Sequence, residues 1–514
     1  MTLSSIFNKA AFSRRMKQLK KYDTKAISLQ CEQLNKLIHK ARRTSFGQKY
    51  GFAEEGYDYE KFSNTVPLAT YDEIKPWIER MLKGEKDVLW PGLCKWFAKS
   101  SGTTSDKSKY IPVTDYSLKH THFRGGTDSV VAYLMLNPNS KMFLGKGLIL
   151  GGSFSKEKGL GKGIRCGDLS ASLIQNVTPA VNFIRTPNKR IALMSEWETK
   201  LKALTQSTMN VNVTSISGVP SWMMGVLKAV IKEKGAKDIT EVWPNLEVFF
   251  HGGIAFGPYR EEYKKLIPSS KMHYLETYNA SEGFFGIQTD WNDSAMTLLV
   301  DNRIFYEFIP MEEFSEDSSK MKAIPLKDIE VGKNYAMVIT TPGLWRYIIG
   351  DTVKFTQKDP YKFHITGRTK AFINAFGEEV MVSNADEAIA EACRQTNATI
   401  SDYTAAPTFA EDNKKARHSW IIEFSKAPDN LESFAEILDT TLQKVNSDYE
   451  AKRYKGIFLD RLELTSAPSG TFSKWLKLKK GKLGGQIKIP RLSNSRQYYE
   501  ELMAMIEDSL KQKQ

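Results

Sequence analysis

Small hydroxyl residues surround a single glycine in the segment from Ser100 to Lys109, which reads SSGTTSDKSK. Such a segment leaves backbone N–H groups and several hydroxyls available to an oxyanion, and its two lysines add positive charge. The spacing differs from GxxxxGK[ST], so the P-loop NTPase mechanism does not apply. Taken alone, the segment is as consistent with a flexible polar turn as with a polyphosphate-binding loop.

A second polar group lies in the segment from Glu276 to Gly283, which reads ETYNASEG and follows the glycine-rich turn His251-Gly252-Gly253. Glu282 supplies a hard oxygen ligand of the kind that a partly hydrated magnesium ion prefers. Tyr278 offers a flat face to a purine base. Neither residue type is diagnostic by itself.

Three more candidates follow toward the C terminus. Asp351, which ends the motif WRYIIGD, suits two hydrogen bonds from vicinal ribose hydroxyls, or alternatively a surface pair with Arg346. The segment from Gly367 to Lys370 follows a predicted strand and is typical of a hinge. Lys488 lies in the glycine-rich segment GGQIKIPR, from which closure of a second domain would deliver it to a site on the first. A solvent-exposed surface lysine is the alternative.

The elements that must position these residues are helices and short strands in alternation. Apolar residues follow a helical period from Ile27 to Ala41, and β-rich segments then alternate with helices as far as Phe355. After Lys370 the order restarts as strand, helix, two strands, helix (Leu431 to Asn446) and strand. A basic loop from Thr471 to Arg491 and a last helix follow.

This pattern predicts a mixed α/β protein of two domains. Residues 1–369 form a large domain of layered sheets and helices, and residues 370–514 form a smaller α/β sandwich. No apolar run approaches the ~20 residues of a membrane helix, so we expect no membrane association. The four cysteines are far apart, which favours a reducing, cytoplasmic location.

The chain carries 73 Lys plus Arg and 59 Asp plus Glu, a formal charge of +14 that would suit an anionic partner. Residues 1–22 contribute six positive charges and residues 471–491 seven, without any acid, so the remainder is nearly neutral. Nucleic-acid binding is one hypothesis for this charge, but the chain lacks the basic and aromatic modules of such proteins. We therefore expect no nucleic-acid partner.

Taken in order, the motifs resemble the acyl-adenylate-forming superfamily. Within it, SSGTT, YNASEG, WRYIIGD and GQIKIPR are similar to the Gretchen Hagen family of auxin-responsive acyl acid amido synthetases, in its bacterial branch. The resemblance runs from Arg15 to the last helix. It implies that the large domain is an adenylate-forming domain binding ATP and the acyl group, and that the smaller domain is a mobile lid carrying the catalytic lysine.

The resemblance also implies roles for individual residues. The β- and γ-phosphates of ATP would be cradled by Ser100, Ser101, Gly102, Thr103 and Thr104, with Lys109 closing the loop. Tyr278 would lie against adenine, Ser281 near the α-phosphate and Glu282 on magnesium. Asp351 would hold the ribose, assisted by Arg368.

Lys488 would contact the α-phosphate and the acyl carboxylate, and the C-terminal domain would rotate about Lys370. Candidate substrate contacts are Gly252, Gly253 and Arg124, the last as an ion-pair partner of an acyl carboxylate or else as a surface arginine. Two features depart from the superfamily. Ser105-Asp106 replaces a glycine at the tip of the phosphate loop, and the hinge residue is more often aspartate.

The leading hypothesis is a two-step ligase. ATP and a small-molecule carboxylic acid, with Mg²⁺, give acyl-AMP and pyrophosphate, and an amino acid or other amine then gives an amide and AMP. The alternatives are an acyl-CoA ligase, a basic nucleic-acid-binding protein, or an inactive relative that only binds nucleotide. The acid, the amine and the base that deprotonates the amine are not indicated, and a monomer is the default expectation.

Overall fold

The computed structural model describes residues 3–100, 109–253, 256–315, 317–369, 372–373, 378, 380–408, 416–453, 459–480, 489–493 and 495–511. The helices are α1 (Leu3–Leu19), α2 (Tyr22–Ala41), α3 (Ser45–Lys49), α4 (Tyr59–Thr65), α5 (Tyr71–Leu82), α6 (Asp115–Ser117), α7 (Phe123–Leu136), α8 (Leu169–Asn176), α9 (Lys189–Ala192), α10 (Trp197–Thr208), α11 (Pro220–Lys234), α12 (Arg260–Leu266), α13 (Val382–Thr396), α14 (Leu431–Val445), α15 (Ser447–Arg453), α16 (Thr471–Lys480) and α17 (Gln497–Lys511).

The strands are β1 (Trp96–Ser100), β2 (Lys109–Val113), β3 (Lys146–Ile149), β4 (Phe154–Ser155), β5 (Arg165–Gly167), β6 (Arg185–Thr186), β7 (Val213–Gly218), β8 (Val248–Gly252), β9 (His273–Ala280), β10 (Gly283–Gln288), β11 (Met296–Leu298), β12 (Phe305–Pro310), β13 (Ile324–Pro325), β14 (Asn334–Thr341), β15 (Leu344–Lys358), β16 (Tyr361–Arg368), β17 (Phe372–Ile373), β18 (Val380–Met381), β19 (Thr399–Thr408), β20 (Arg417–Lys426) and β21 (Glu463–Ala467).

A 12-stranded sheet with the order β13-β12-β14-β15-β16-β11-β10-β9-β8-β7-β3-β6 dominates the molecule. Strands β9, β8, β7, β3 and β6 are parallel, and the others pair antiparallel. The parallel half is covered on both faces, because α11 and α12 pack on one side and α1 and α7 on the other. A strand buried on both faces reads as an apolar run, as Val248-Phe249-Phe250 does.

Helix α2 shows why the sequence periodicity is informative. Leu34, Leu37, Ile38 and Ala41 form one buried stripe, and burial of each large aliphatic side chain stabilises the fold by about 1.5–3 kcal/mol. The Gln30 amide donates to the carbonyls of Val300 and Ile304, which fixes the helix against the large sheet. The helix predicted from these positions is confirmed.

The C-terminal elements build a core of their own around the three-stranded sheet β19-β20-β21 and helices α13 and α14. The predicted helix at Leu431 is confirmed as α14. The predicted basic loop after Thr471 is wrong as far as Lys480, where helix α16 buries Phe472, Trp475 and Leu476 against α17. Lys474, Lys477 and Lys479, which are among the lysines that suggested a loop, are exposed on this helix. The domain boundary at 369/370 stays a prediction.

Two buried arginines tie distant segments together. Arg346 donates from Nε and Nη2 to Glu307 at 3.0 and 2.8 Å, so it is a structural residue and not the surface partner of Asp351. Arg15, in the basic N-terminal helix, pairs with Asp128 and Asp301. In the part of the chain that the structure describes, no helix is long and apolar enough to cross a membrane.

Candidate active site

A cavity of about 2060 Å³ lies between the parallel half of the large sheet, helix α7 and the C-terminal elements α13 and β19. Ligand pockets are commonly ~300–1,000 Å³, so this cavity has room for more than one substrate. Side chains of the C-terminal part close one side of it, where Arg491 pairs with Asp386 and donates to the Tyr259 hydroxyl at 3.4 Å.

Three side chains from neighbouring parts of the sheet meet at the polar end of the cavity. In the register of β15 and β16, Asp351 lies opposite Arg368, and its Oδ1 is 2.9 Å from the arginine Nε. The Tyr278 hydroxyl, from β9, donates to Asp351 Oδ2 at 2.5 Å. The Asp351 charge raises the pKa of Arg368, which stays a cation. A carboxylate accepts about four hydrogen bonds, so both oxygens keep lone pairs for vicinal hydroxyls.

Ser281 and Glu282 occupy the turn between β9 and β10 at the same end of the cavity. Burial raises the pKa of Glu282 to about 7, and the nearby Asp351 charge acts in the same direction. Among the described residues no group of three or more His, Cys, Asp or Glu side chains forms a metal-binding cluster. A site with one protein carboxylate suits Mg²⁺, which takes its other ligands from phosphates and water.

The predicted phosphate loop is the connection of the hairpin β1–β2. Ser100 ends β1 and pairs with Lys109, which begins β2. Burial raises the pKa of Glu282, and the positive charge of Lys109 offsets a small part of that rise. The charge at the base of the loop thus acts on the Glu282 carboxyl. The predicted residues Ser101, Gly102, Thr103, Thr104, Lys370 and Lys488 lie outside the described residues.

Gly252 and Gly253 lie at the carboxyl end of β8, in the cavity wall. A Cβ atom on Gly252 would come within 2.2 Å of the Thr277 carbonyl oxygen, so glycine is required for the close approach of β8 and β9. Arg124 is not brought to the cavity. Its guanidinium donates to Asp301 at 3.1 Å and to Gln18 at 3.2 Å, on the side of α7 that packs against α1.

Other cavity residues were given no role by the sequence motifs. Burial raises the pKa of Glu276 to about 7, a property that suits a general base. Arg185 lies in the wall at the far edge of the sheet. The apolar part of the wall comes from scattered positions: Phe123, Val130, Ile149, Leu173, Val177, Val181, Trp222, Phe250 and Phe284. No spacing rule unites residues from so many elements, and the α7 positions alone show a helical period.

We expect the variant Tyr278→Phe to raise the KM for ATP about tenfold, because the Asp351 carboxylate loses one donor that orients it. Steady-state kinetics of ATP-dependent AMP formation measure the change. Tyr57→Phe is the matched control, since its hydroxyl bonds to Thr65 on the surface. Equal KM values for the two variants would remove Asp351 and Tyr278 from the nucleotide site.

Comparison with known proteins finds three family models along the chain. The GH3 family N-terminal domain matches residues 15–272, the GH3 family central domain matches residues 297–368, and the GH3 family C-terminal domain matches residues 383–497.

Individual relatives extend over most of the chain. Indole-3-acetic acid-amido synthetase GH3.3 of Arabidopsis thaliana is 22% identical, over 89% of this chain and 88% of the relative. The 4-substituted benzoates-glutamate ligase GH3.12 of the same plant is also 22% identical, over 93% and 95%. The solved structure of the GH3.15 acyl acid amido synthetase covers 95% of this chain and 94% of its own at a TM-score of 0.75 and 17% identity. The fold is therefore shared.

Proposed function

The chain belongs to the GH3, or Gretchen Hagen, family, and on that premise we propose that it is an ATP-dependent acyl acid amido synthetase. It joins a small carboxylic acid to an amino acid or another amine, and its relatives named above are acid-amido ligases. The observation that carries the proposal is the meeting of Asp351, Tyr278, Arg368 and Glu282 at one end of a large cavity. The charge of Lys109, at the base of the β1–β2 hairpin, acts on Glu282 there.

In this proposal the polar end of the cavity holds ATP. Asp351, positioned by Tyr278 and Arg368, accepts the ribose hydroxyls, and the ring of Tyr278 lies against adenine. Ser281 is near the α-phosphate. Residues from Ser100 to Thr104, with Lys109, surround the β- and γ-phosphates, because backbone N–H groups and hydroxyls are the donors that phosphates need.

Adenylation brings two anions together, since the acid attacks the α-phosphate as a carboxylate. Catalysis of such a step consists mainly of positioning and charge neutralisation. A magnesium ion held by Glu282 would supply part of that neutralisation. Lys488, delivered by residues 370–514 turning about Lys370, supplies the rest, and the same turn then gives the amine a path to the acyl-AMP.

The apolar walls define the acyl end of the cavity. They lie beside β3, β7 and β8, where Ile149 and Phe250 line the space together with Val130 of α7. An acid with an apolar body gains about 25 cal/mol for each Å² that it buries there. The acids after which the relatives are named, indole-3-acetic acid and 4-substituted benzoates, have such bodies.

Isotope exchange between pyrophosphate and ATP tests the first step, with a panel of acids supplied singly. We expect exchange only when a suitable acid is present, and release of AMP with an amide only when an amine is added. Absence of exchange with every acid, on a folded sample, would contradict adenylation. Release of AMP with coenzyme A but with no amine would instead identify an acyl-CoA ligase.

A further inference from the structure

Arg185 occupies an unusual place for a charged residue. It lies in β6 at the edge of the large sheet, opposite Gly147 of β3, and its side chain lines the apolar part of the cavity. The residue is only 5% exposed. A guanidinium removed from water to this extent normally has a carboxylate beside it, because an uncompensated buried charge costs several kcal/mol.

No such carboxylate is found among the residues that the structure describes. Arg185 Nε donates to the Asn182 side chain at 2.8 Å, whereas Nη2 is buried and has no hydrogen-bond partner. Burial lowers the pKa of the guanidinium, and no acidic side chain acts against this effect. Among the described residues the arginine is thus a buried cation without an acidic partner, and it lies in the wall of the cavity.

The neighbouring charges are also positive. The pKa of Lys189 is lowered by burial and then by the charges of Arg185 and Arg165. Lys189 donates to the carbonyl of Gln175 at 2.9 Å, and Arg165 lies over the ring of Trp96 at 5.9 Å, so neither is neutralised by these contacts. Three cations close together raise the local potential and favour an anion at Arg185.

The sheet register shows how far this site is from the nucleotide end. Arg185, Gly147, Ser215 and Val248 lie side by side on four adjacent strands. Gly252 is four residues beyond Val248 and pairs with Thr277, the residue before Tyr278 of the nucleotide end. At about 4.8 Å between strands and 3.3 Å per residue, the Cα atoms of Arg185 and Gly252 are on the order of 20 Å apart. Arg185 is therefore too distant to neutralise the phosphates of ATP.

Since the acyl group is adenylated at the nucleotide end in the proposed function, the same distance excludes the α-carboxylate of an incoming amino acid. Its amine must attack the acyl carbonyl, so the carboxylate of an α-amino acid stays within two bonds of the reacting nitrogen. An anion at Arg185 belongs to the far end of the acyl substrate. Between the two ends the wall carries Ile149 and Phe250, which suit a hydrocarbon chain or ring.

We propose that Arg185 binds the distal carboxylate of a dicarboxylic acyl substrate, whose other carboxyl group is adenylated while its apolar body spans the cavity. The proposal rests on the proposed function and adds its substrate class. The distal group is bound as an ion and takes no part in the chemistry, so it stays ionised through both steps.

The test compares straight-chain α,ω-dicarboxylic acids with monocarboxylic acids of the same chain length, in the pyrophosphate exchange assay. For the unmodified protein we expect kcat/KM to favour the best diacid by about tenfold to a hundredfold, the range of a charge-assisted hydrogen bond. In Arg185→Met we expect the ratio of kcat/KM for the diacid to kcat/KM for the monoacid to fall to near one. In Arg185→Lys, which keeps the positive charge, we expect an intermediate ratio. Arg190→Met removes an exposed charge nearby and is expected to keep the full ratio.

A second measurement does not depend on turnover. Diacid alone is expected to raise the melting temperature of the unmodified protein and of Arg190→Met, but not of Arg185→Met. Exchange with monoacids at least as fast as with every diacid, or an unchanged ratio in Arg185→Met, would overturn the role of Arg185 and leave the amido synthetase intact. Absence of exchange with any acid would instead count against the proposed function.

Discussion

Replacement of Lys488 by alanine is expected to slow acyl-AMP formation by about a hundredfold to a thousandfold and to leave ATP binding largely unchanged. The physical reason is that the lysine contacts charge that develops only as the carboxylate attacks the α-phosphate. Loss of one such donor has a cost of this size in other enzymes. Rapid-quench measurement of acyl-AMP gives the rate, and calorimetric titration with ATP gives the affinity.

The matched control for this variant is Lys474→Ala. Lys474 lies in the same basic stretch, exposed on helix α16, so its loss changes the net charge equally. We expect a normal rate of acyl-AMP formation. If Lys488→Ala forms acyl-AMP as fast as the control, the lysine is wrongly assigned. A rate that falls in both variants would indicate a general effect of positive charge on ATP binding.

Local motifs explain why the family, the mixed α/β fold class and the class of enzyme are predictable from sequence, and all three predictions are confirmed. Each motif has a glycine, hydroxyl or carboxylate at a position fixed within a few residues. Their order along the chain then carries the information. The roles of individual residues, and the boundary at 369/370, stay predictions.

Long-range pairing explains what the sequence does not reveal. Arg346 lies five residues before Asp351, yet its partner is Glu307. Glu307 is in β12 and Arg346 is in β15, and the two strands lie on either side of β14 in the sheet. Arg124 has the charge for a substrate contact, but it lies on the face of α7 that packs against α1 and donates to Asp301 there. Arg185 becomes notable only when its burial is known, together with the absence of an acidic partner among the described residues. None of these facts follows from spacing.

Replacement of Glu282 by glutamine is expected to lower kcat/KM for ATP and Mg²⁺ about a hundredfold and to remove its pH dependence. Burial raises the pKa of Glu282 to about 7, and a metal ligand must lose its proton before it binds. In the unmodified protein the apparent affinity for Mg²⁺ therefore rises as the pH increases from 6 to 8. Titration of activity with Mg²⁺ at several pH values measures both effects.

The control for Glu282→Gln is Glu276→Gln, which removes a carboxyl that is not a proposed metal ligand. Glu276 lines the same cavity, and burial raises its pKa to about 7 as well. A buried carboxyl stays protonated up to its folded pKa, whereas in the unfolded chain it ionises near 4.5. Without Mg²⁺, each glutamate therefore lowers the free energy of unfolding as pH rises from about 4.5 to 7, by at most about 3 kcal/mol.

Both glutamine variants should consequently be more stable than the unmodified protein at pH 7.5 and equally stable at pH 4.5, as chemical denaturation would show. When ATP and Mg²⁺ are added, we expect the free energies of unfolding of the two variants to differ, because only Glu282→Gln loses the stabilisation that the bound ion gives. Equal stabilisation of both variants by Mg²⁺ and ATP would place the ion elsewhere. Glu282 would then be a half-buried carboxyl of the cavity wall and not a metal ligand.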